Sequence, residues 1–464
     1  MPVNKPLIKK LVYQSPTIFA NMFRDEEGVV LLHSAKPHHQ NGRYSYLGVR
    51  PFYTIISKNS WIKTSENQYK GNVLELLQQH CHSMDLECHA GLPPFQGGGM
   101  GAFSYDLGQS LEMLPPPQSD EFVVPDVMFG FYDLVISWDH KAQNCYLLSS
   151  GLPKSTEHRA EYAQERMDEV LHFIQESSTQ PAIPQSIKAH SELQLNFKPE
   201  DYMAAIQKAI DYIYAGDLFE VNISQRFHIQ SSCHAFDLYL KLQQENPAPF
   251  AGYLNFNGFQ IISSSPERFL KLQQGQVEAC PIKGTRPRGK TEAEDKQLAE
   301  ELINSIKDRA ENIMIVDLMR NDLSKVCLPH SIKVPEICGL HSFATVHHLI
   351  STVQGTLAPE YDAIDVIKAT FPGGSITGAP KIRAMEIIAE IEPTARGAYC
   401  GSMGYIGFDG GMDLSILIRT FVKKGEDITF QAGGAIVSDS DPEAEYQETL
   451  DKAAALKRVL CAQI

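Results

Sequence analysis

Two hydrophobic rhythms divide the chain. Up to about residue 175, short apolar runs between turn-forming residues recur, as in Val29-Val-Leu-Leu-His33, Phe52-Tyr-Thr-Ile-Ile56 and Phe131-Tyr-Asp-Leu-Val-Ile136. Such runs predict strands, and Val73-Leu-Glu-Leu-Leu77 interrupts them with helical spacing. Residues 176–194 are polar and contain Pro181 and Pro184, which reads as a linker joining sequence regions 1–175 and 195–464 more than as a divider of independent domains. Beyond it, apolar residues at helical spacing predict a helix from Pro199 to Ala215, stopped by Gly216 as a C-cap. Phe219 to Phe227 alternates like a strand, Thr291 to Asn321 reads as one long helical region, and Phe343 to Ile350 reads as a strand. A helix from Lys381 to Glu390 and another opening at Pro442 complete the pattern.

The stretch from Ser263 to Thr285 organises the rest. It reads as two short strands around Gln274-Gly275, where the glycine supplies the positive φ of a tight hairpin. Folded there, Glu267 comes within about one position of lying opposite Lys283, and cross-strand neighbours have Cβ atoms about 5 Å apart. A carboxyl and an amine that close can serve as acid and nucleophile on one small molecule. A surface ion pair is the plainer reading of the two residues alone. Pro266 and Pro281, which interrupt both strands beside the pair, and Gly284 after the lysine favour a sheet edge that meets a ligand.

Composition narrows the classes. The 464 residues are 43% hydrophobic and 21% charged, as in a globular protein. A net charge of −15 argues against a general nucleic-acid binder. No apolar run reaches membrane-spanning length, and the first ten residues lack the apolar core of a secretory signal. Nine cysteines without a framework point to a reducing compartment, so a cytoplasmic location is expected.

Further candidates follow along the chain. His80, Cys81, His82, Cys88 and His89 fit no zinc template and read as a helix end and loop. Gly97-Gly-Gly-Met-Gly-Ala102 lacks the helix and acidic residue of a nucleotide cradle, and reads as a close-packed strand crossing. Asp308 and Glu311 share a helix face, as do Glu445, Glu448 and Lys452. Two helices with paired acids can converge on a hard cation such as Mg2+. His347 and His348 point to opposite faces of their strand, so only one can enter a given site. Pro372 to Lys381 opens a helix with free N–H groups suited to a carboxylate rather than a nucleotide phosphate. Asp409-Gly-Gly411 signals a hairpin, and Arg419 on its second strand is expected to emerge among polar neighbours, fit to clamp a carboxylate.

Several strings, in order, closely resemble the chorismate-utilising enzymes of the anthranilate synthase component I family. They are Ser265-Pro-Glu-Arg-Phe269, Pro281-Ile-Lys-Gly-Thr285, Asp308-Arg-Ala-Glu-Asn-Ile-Met-Ile-Val-Asp-Leu-Met-Arg-Asn-Asp322, Val346-His-His-Leu-Ile-Ser351, Pro372 to Lys381, Ala432-Gly-Gly434 and Glu445-Tyr-Gln-Glu-Thr449. The first half resembles the family's more variable region through Leu31-Leu-His-Ser34 and Phe95 to Asp106. The resemblance implies an α+β fold, an α/β/β/α sandwich of two stacked, mainly antiparallel sheets with helices outside. Anthranilate synthases usually carry alanine where Lys283 stands. Isochorismate and salicylate synthases place a water-activating lysine at the position that Glu220 matches, and glutamine is common there. The combination is similar to the family branch that aminates chorismate at C4 and keeps its enolpyruvyl group, a step toward p-aminobenzoate and folate.

For that branch the resemblance implies Lys283 as the nucleophile adding at C2, a neutral amine when it attacks. Glu267 is then the general acid to the C4 hydroxyl and His348 orients the substrate. Arg419, Tyr405 and N–H groups around Gly433 would hold the enolpyruvyl carboxylate. Thr377, Gly378 and Lys452 would position the ring end. Glu311, Glu445 and Glu448 would bind Mg2+, with Asp308 nearby. Ammonia would come from a glutamine amidotransferase subunit, since nothing in the chain resembles a glutaminase. A tryptophan pocket would comprise Ser34, Arg43, Tyr44, Ser45, Tyr46, Pro249, Phe250 and Ala251. His33, where anthranilate synthases carry glutamate, argues against feedback by tryptophan. Anthranilate formation and a non-catalytic docking relative are the alternatives.

Overall fold

A computed structural model describes residues 5–36, 42–177, 180–181, 183–343 and 346–460. Period-two alternation builds two antiparallel sheets. Val30, Leu254 and Ile261 pack with Met100, Met128 and Met403 of the facing sheet, while their neighbours Leu31, Tyr253 and Ile262 pack under outer helices with Trp138, Phe236 and Tyr239. The chain is therefore an α/β/β/α sandwich, with a hydrophobic layer on both sides of each sheet.

The first sheet runs Leu7–Leu11, Asn144–Ser149, Leu134–Asp139, Tyr44–Gly48, Val29–His33, Phe250–Phe256, Phe259–Ser265, Thr420–Lys424, Asp427–Ile436, Glu220–Gln230 and Gln194–Leu195. Gly378–Ala379 pairs with the start of Glu220–Gln230. The second runs Ile282–Pro287, Val346–Thr356, Gln276–Ala279, Arg268–Gln273, Met412–Ile416, Ser402–Gly407, Gly98–Phe103, Val127–Tyr132, Tyr53–Lys58, Trp61–Thr64 and Gln68–Lys70, with Lys333–Ser342 also on Val346–Thr356. Both halves of the sequence contribute strands to both sheets. Glu176, at the start of the expected linker, ends the helix Thr156–Glu176, and the described residues after it hold only an isolated bridge at Ala189 before Gln194; residues 178, 179 and 182 lie outside the described residues.

The chain changes sheets twice at one place. It passes from the first to the second at Pro266-Glu267, and back at Leu417 to Arg419. Two backbone hydrogen bonds tie the crossings together, from Ile416 N–H to Glu267 O at 3.1 Å and from Ser264 N–H to Arg419 O at 3.1 Å. Arg419 therefore lies past its expected strand, in left-handed backbone with φ 52°. A non-glycine residue there is uncommon and marks a constrained turn.

Gln274-Gly275 forms a two-residue turn with φ of 51° and 73°, closed by the Gln273–Gln276 pair. Gly98–Phe103 is an interior strand, and a Cβ on Gly101 would lie 2.0 Å from Met128 O, which explains the glycine run as close strand packing. The long helical region divides into Glu292–Asn304 and Ile306–Ser324. Ser305 ends one helix and caps the next by accepting from Asp308 N–H, a local hydrogen bond that helical periodicity does not reveal.

Phe227 and its cross-strand partner Phe430 stack with ring centroids 4.8 Å apart and planes 4° from parallel, both buried. Phe227→Ala is expected to cost about 3–5 kcal/mol of stability, read as a lower urea midpoint with an unchanged slope.

Candidate active site

The hairpin ladder pairs Lys271 with Glu278 and Leu272 with Val277. Continued, it would set Glu267 opposite Ile282. Pro266 and Pro281 stop it, and the two tracks part: Arg268–Gln273 stays on Met412–Ile416, while Ile282–Pro287 follows Val346–Thr356. The Ile282 N–H still reaches the Glu267 carboxylate, which also accepts from the Ser375 hydroxyl at 3.0 Å. Lys283, one residue on, crosses to the other sheet. Its Nζ donates to Glu220 Oε1 at 2.6 Å, with the two side chains only 10% and 1% exposed. Glu311, from helix Ile306–Ser324, adds a further carboxylate facing the lysine.

Burial sets the protonation here. It raises the Glu267 carboxyl to about 7, against the opposing pull of Ser375, Lys283 and the Ile282 N–H. Burial also raises Glu311 to about 7, with Glu220 and Asp308 adding repulsion. Burial alone would lower the Lys283 amine, but Glu220, Glu311 and Glu267 outweigh it, and its pKa stands above the ordinary value. The resting side chain is an ammonium, so the neutral amine expected of a nucleophile requires loss of a proton.

His348 and Arg419 line a cavity of about 220 Å³ beside Pro266 and Ile282. His348 Nδ1 shares a hydrogen bond of 2.8 Å with the Thr285 hydroxyl. Burial, then the Arg419 and Lys36 charges, lower its pKa to about 4, which leaves the ring neutral. His347 faces the other way and is buried between the Ser342 hydroxyl and Asp295, at 2.8 and 3.0 Å. The alternation along the strand thus separates the two histidines.

The remaining acids meet at Gly434, where a Cβ would lie 2.9 Å from Glu445 Oε2 and 3.4 Å from Glu448 Oε1. Glu445 accepts from Ser440 at 2.7 Å, and burial first, then Glu448, raise its pKa. Lys452 donates to Glu448 at 2.6 Å and to the Gly433 carbonyl at 2.9 Å. No three acidic, histidine or cysteine side chains among the described residues converge as a formed metal group. The donor chemistry nevertheless fits a hard divalent cation: Glu311 and Glu445 are carboxyls whose burial and acidic neighbours disfavour ionisation, which such a cation would reverse. Asp308 is held by Arg286 at 3.1 Å.

Residues 28–458 match the family model described as chorismate binding enzyme. The chain belongs to the chorismate binding enzyme family. It is 40% identical to aminodeoxychorismate synthase component 1 of Escherichia coli (strain K12), over 91% of each chain. It is 38% identical to anthranilate synthase component 1 of Thermus thermophilus, over 93% of this chain and 91% of that one. Among solved structures it resembles anthranilate synthase component I from Streptococcus pneumoniae TIGR4, with a TM-score of 0.80 and 32% identity over 90% of this chain and 92% of that one.

Within this chorismate binding enzyme some expected residues lie away from Lys283. Tyr405 does not line the cavity of His348 and Arg419. It lines a second cavity, of about 470 Å³, with Ser34, Tyr44, Tyr46, Phe250 and Ala251, its ring 5.3 Å from Tyr46 and 4.6 Å from Phe95. On Ser402–Gly407 side chains alternate, and position 405 faces this cavity together with Met403. Arg43 and Pro249 also line it; Ser45, on the opposite strand face, bonds His140 instead. The Thr377 hydroxyl donates to Gly373 O at 3.0 Å. Gly378, at φ 139°, lets the chain pass the Glu220 carbonyl, which a Cβ would meet at 2.1 Å. Lys381 turns inward to Asp322 and Thr370 rather than toward a helix-start anion. In the helix end and loop at 80–89, His82 pairs with Asp362, His80 stacks on Tyr53 and His89 bonds Pro6. The eight cysteines among the described residues are free, and no helix there is long and apolar enough to cross a membrane. Ser375 carried no sequence signal beyond its place in the Pro372–Lys381 loop.

The raised Glu267 carboxyl makes a testable linkage. Its pKa of about 7 exceeds the ordinary 4.5, so the folded chain binds the extra proton between those values, and stability present below the lower one is lost as pH rises through 7. Glu267→Gln is expected to stabilise the fold at pH 8 by up to about 3 kcal/mol and to give no gain near pH 4, measured by urea unfolding at both pH values.

Proposed function

We propose that this chain acts as an aminodeoxychorismate synthase component 1, converting chorismate and ammonia to 4-amino-4-deoxychorismate. The observation that carries the reading is Lys283: a buried amine one residue past the gap at Glu267. Glu267 keeps a proton near neutral pH, as a general acid needs, and gives it to the departing C4 hydroxyl. The Lys283 amine bonds to C2 while the ring double bonds shift and the C4–O bond breaks. Ammonia then bonds to C4, the double bonds shift back, and the C2–N bond to lysine breaks. Two such displacements replace one difficult substitution. Arg419 in the cavity mouth suits the enolpyruvyl carboxylate, and neutral His348 beside it suits hydrogen bonding to substrate.

Glu311, Glu445 and Glu448 would hold Mg2+, which when bound supplies positive charge to the ring carboxylate. A glutamine amidotransferase subunit is the proposed ammonia source, in keeping with the word component in the relatives' names. A cytoplasmic location accords with the free cysteines.

Mass spectrometry of products from chorismate, Mg2+ and ammonium is expected to show an amino product that keeps its enolpyruvyl group. Lys283→Ala should abolish it, and Glu267→Gln should slow it about 10²–10⁴-fold. Anthranilate with pyruvate from the unaltered protein would overturn the reading in favour of the anthranilate synthase relatives. Calorimetric titration with Mg2+ in the presence of chorismate should show binding that Glu448→Gln weakens at least tenfold; equal binding by both would remove Glu448 from the metal set.

A further inference from the structure

We infer that Glu220 is the positioning residue of Lys283, holding the amine across the gap between the sheets and accepting its proton at the step where the amine attacks. The inference rests on the nucleophilic reading of Lys283 given above. Glu220 opens the strand Glu220–Gln230 of the first sheet, and Lys283 lies on an edge strand of the second, so their side chains join the two at this point. Their contact is short, 2.6 Å from Nζ to Oε1. The other carboxylate oxygen, Glu220 Oε2, is buried and has no hydrogen-bond partner among the described residues. One carboxylate oxygen thus holds the amine while the other stays unengaged. The groups facing Lys283 are Glu220, Glu311 and Glu267. Glu267 is engaged with Ser375 and Ile282, and Glu311 faces the lysine without an ion pair to it, which leaves Glu220 as the partner in hydrogen-bond contact.

The proton balance closes over a turnover. An ammonium and a carboxylate become an amine and a carboxylic acid, with no net change in charge. The amine lone pair forms the C2–N bond, and the C4 hydroxyl leaves as water with the Glu267 proton. Ammonia bonds to C4, the lysine departs as a neutral amine, and the new C4 ammonium returns a proton to Glu267. Glu220 then returns its proton to Lys283 and the resting pair is restored. The sum is chorismate plus ammonia giving the amino product plus water.

Two readouts test this, both with Mg2+ present. Competitive labelling with acetic anhydride across pH, read by peptide mass spectrometry, follows the neutral fraction of Lys283 independently of catalysis. In Glu220→Gln the labelling midpoint of Lys283 should fall by at least one pH unit while other lysines keep theirs, which also reports an intact fold; Glu220→Asp provides a second variant should the glutamine variant misfold. An unchanged midpoint overturns the inference. The second readout is the rate of the chorismate adduct on Lys283 without ammonia, by intact-protein mass spectrometry. The ratio of the Glu220→Gln rate to the wild-type rate should fall about tenfold per pH unit below the variant's labelling midpoint, because only the wild type carries its own acceptor. Glu267 acts in both enzymes and cancels from the ratio. An adduct in both with a pH-independent ratio overturns the role of Glu220 alone. No adduct in the wild type overturns the nucleophilic reading and this inference with it.

Discussion

The ion pair between Lys283 and Glu220 is the contact on which the site depends, because each partner belongs to a different sheet. Sheet-on-sheet packing is held mainly by apolar side chains such as Val30, Ile261, Met100 and Met403, which carry no charge and fix no direction. At the gap the apolar layer gives way to charge. Breaking a buried pair by removing one partner leaves an uncompensated ion, so the pair tolerates only changes that keep both ends satisfied. Its position also follows from the backbone. Pro266 and Pro281 part the hairpin where Lys283 must turn away from its own sheet.

Around that pair the chain places more negative than positive charge. Glu220, Glu267 and Glu311 face one lysine, and burial holds the last two near a pKa of 7. The arrangement is costly for folding at alkaline pH and useful for chemistry at neutral pH, since one group retains a proton to give and another is ready to receive one. Glu445 and Glu448 extend the same excess of negative charge to Gly434, where Lys307 and Lys452 answer it. Stability and reactivity therefore draw on the same carboxyls in opposite directions.

Much of this was legible in the sequence where the signal is local. The Gln274-Gly275 turn, the opposed faces of His347 and His348, and the strand reading of the glycine run at 97–101 all follow from short-range rules that packing did not override. What failed depended on distant partners. Tyr405 and Arg419 flank one expected hairpin, yet strand alternation and the crossing at 417–419 carry the two to different cavities. Ser305 breaks a helix whose apolar stripe continues through it. Glu220 was visible as a departure from the common glutamine, but its partner 63 residues away was not, because pairing across two sheets leaves no periodicity.

The order of strands has a consequence for how the chain is made. Val30 pairs with Leu254, and Phe259–Ser265 finds its next neighbour only at Thr420–Lys424. Emerging from a ribosome, the early strands can pair with one another, but the open edge at Val29–His33 must wait for Phe250–Phe256. Neither sheet is complete until the last third of the chain is available, so the full sandwich must wait for nearly complete synthesis. Long-lived open edges invite pairing with other chains, and the nascent protein thus has its greatest need of protection well before its active site exists.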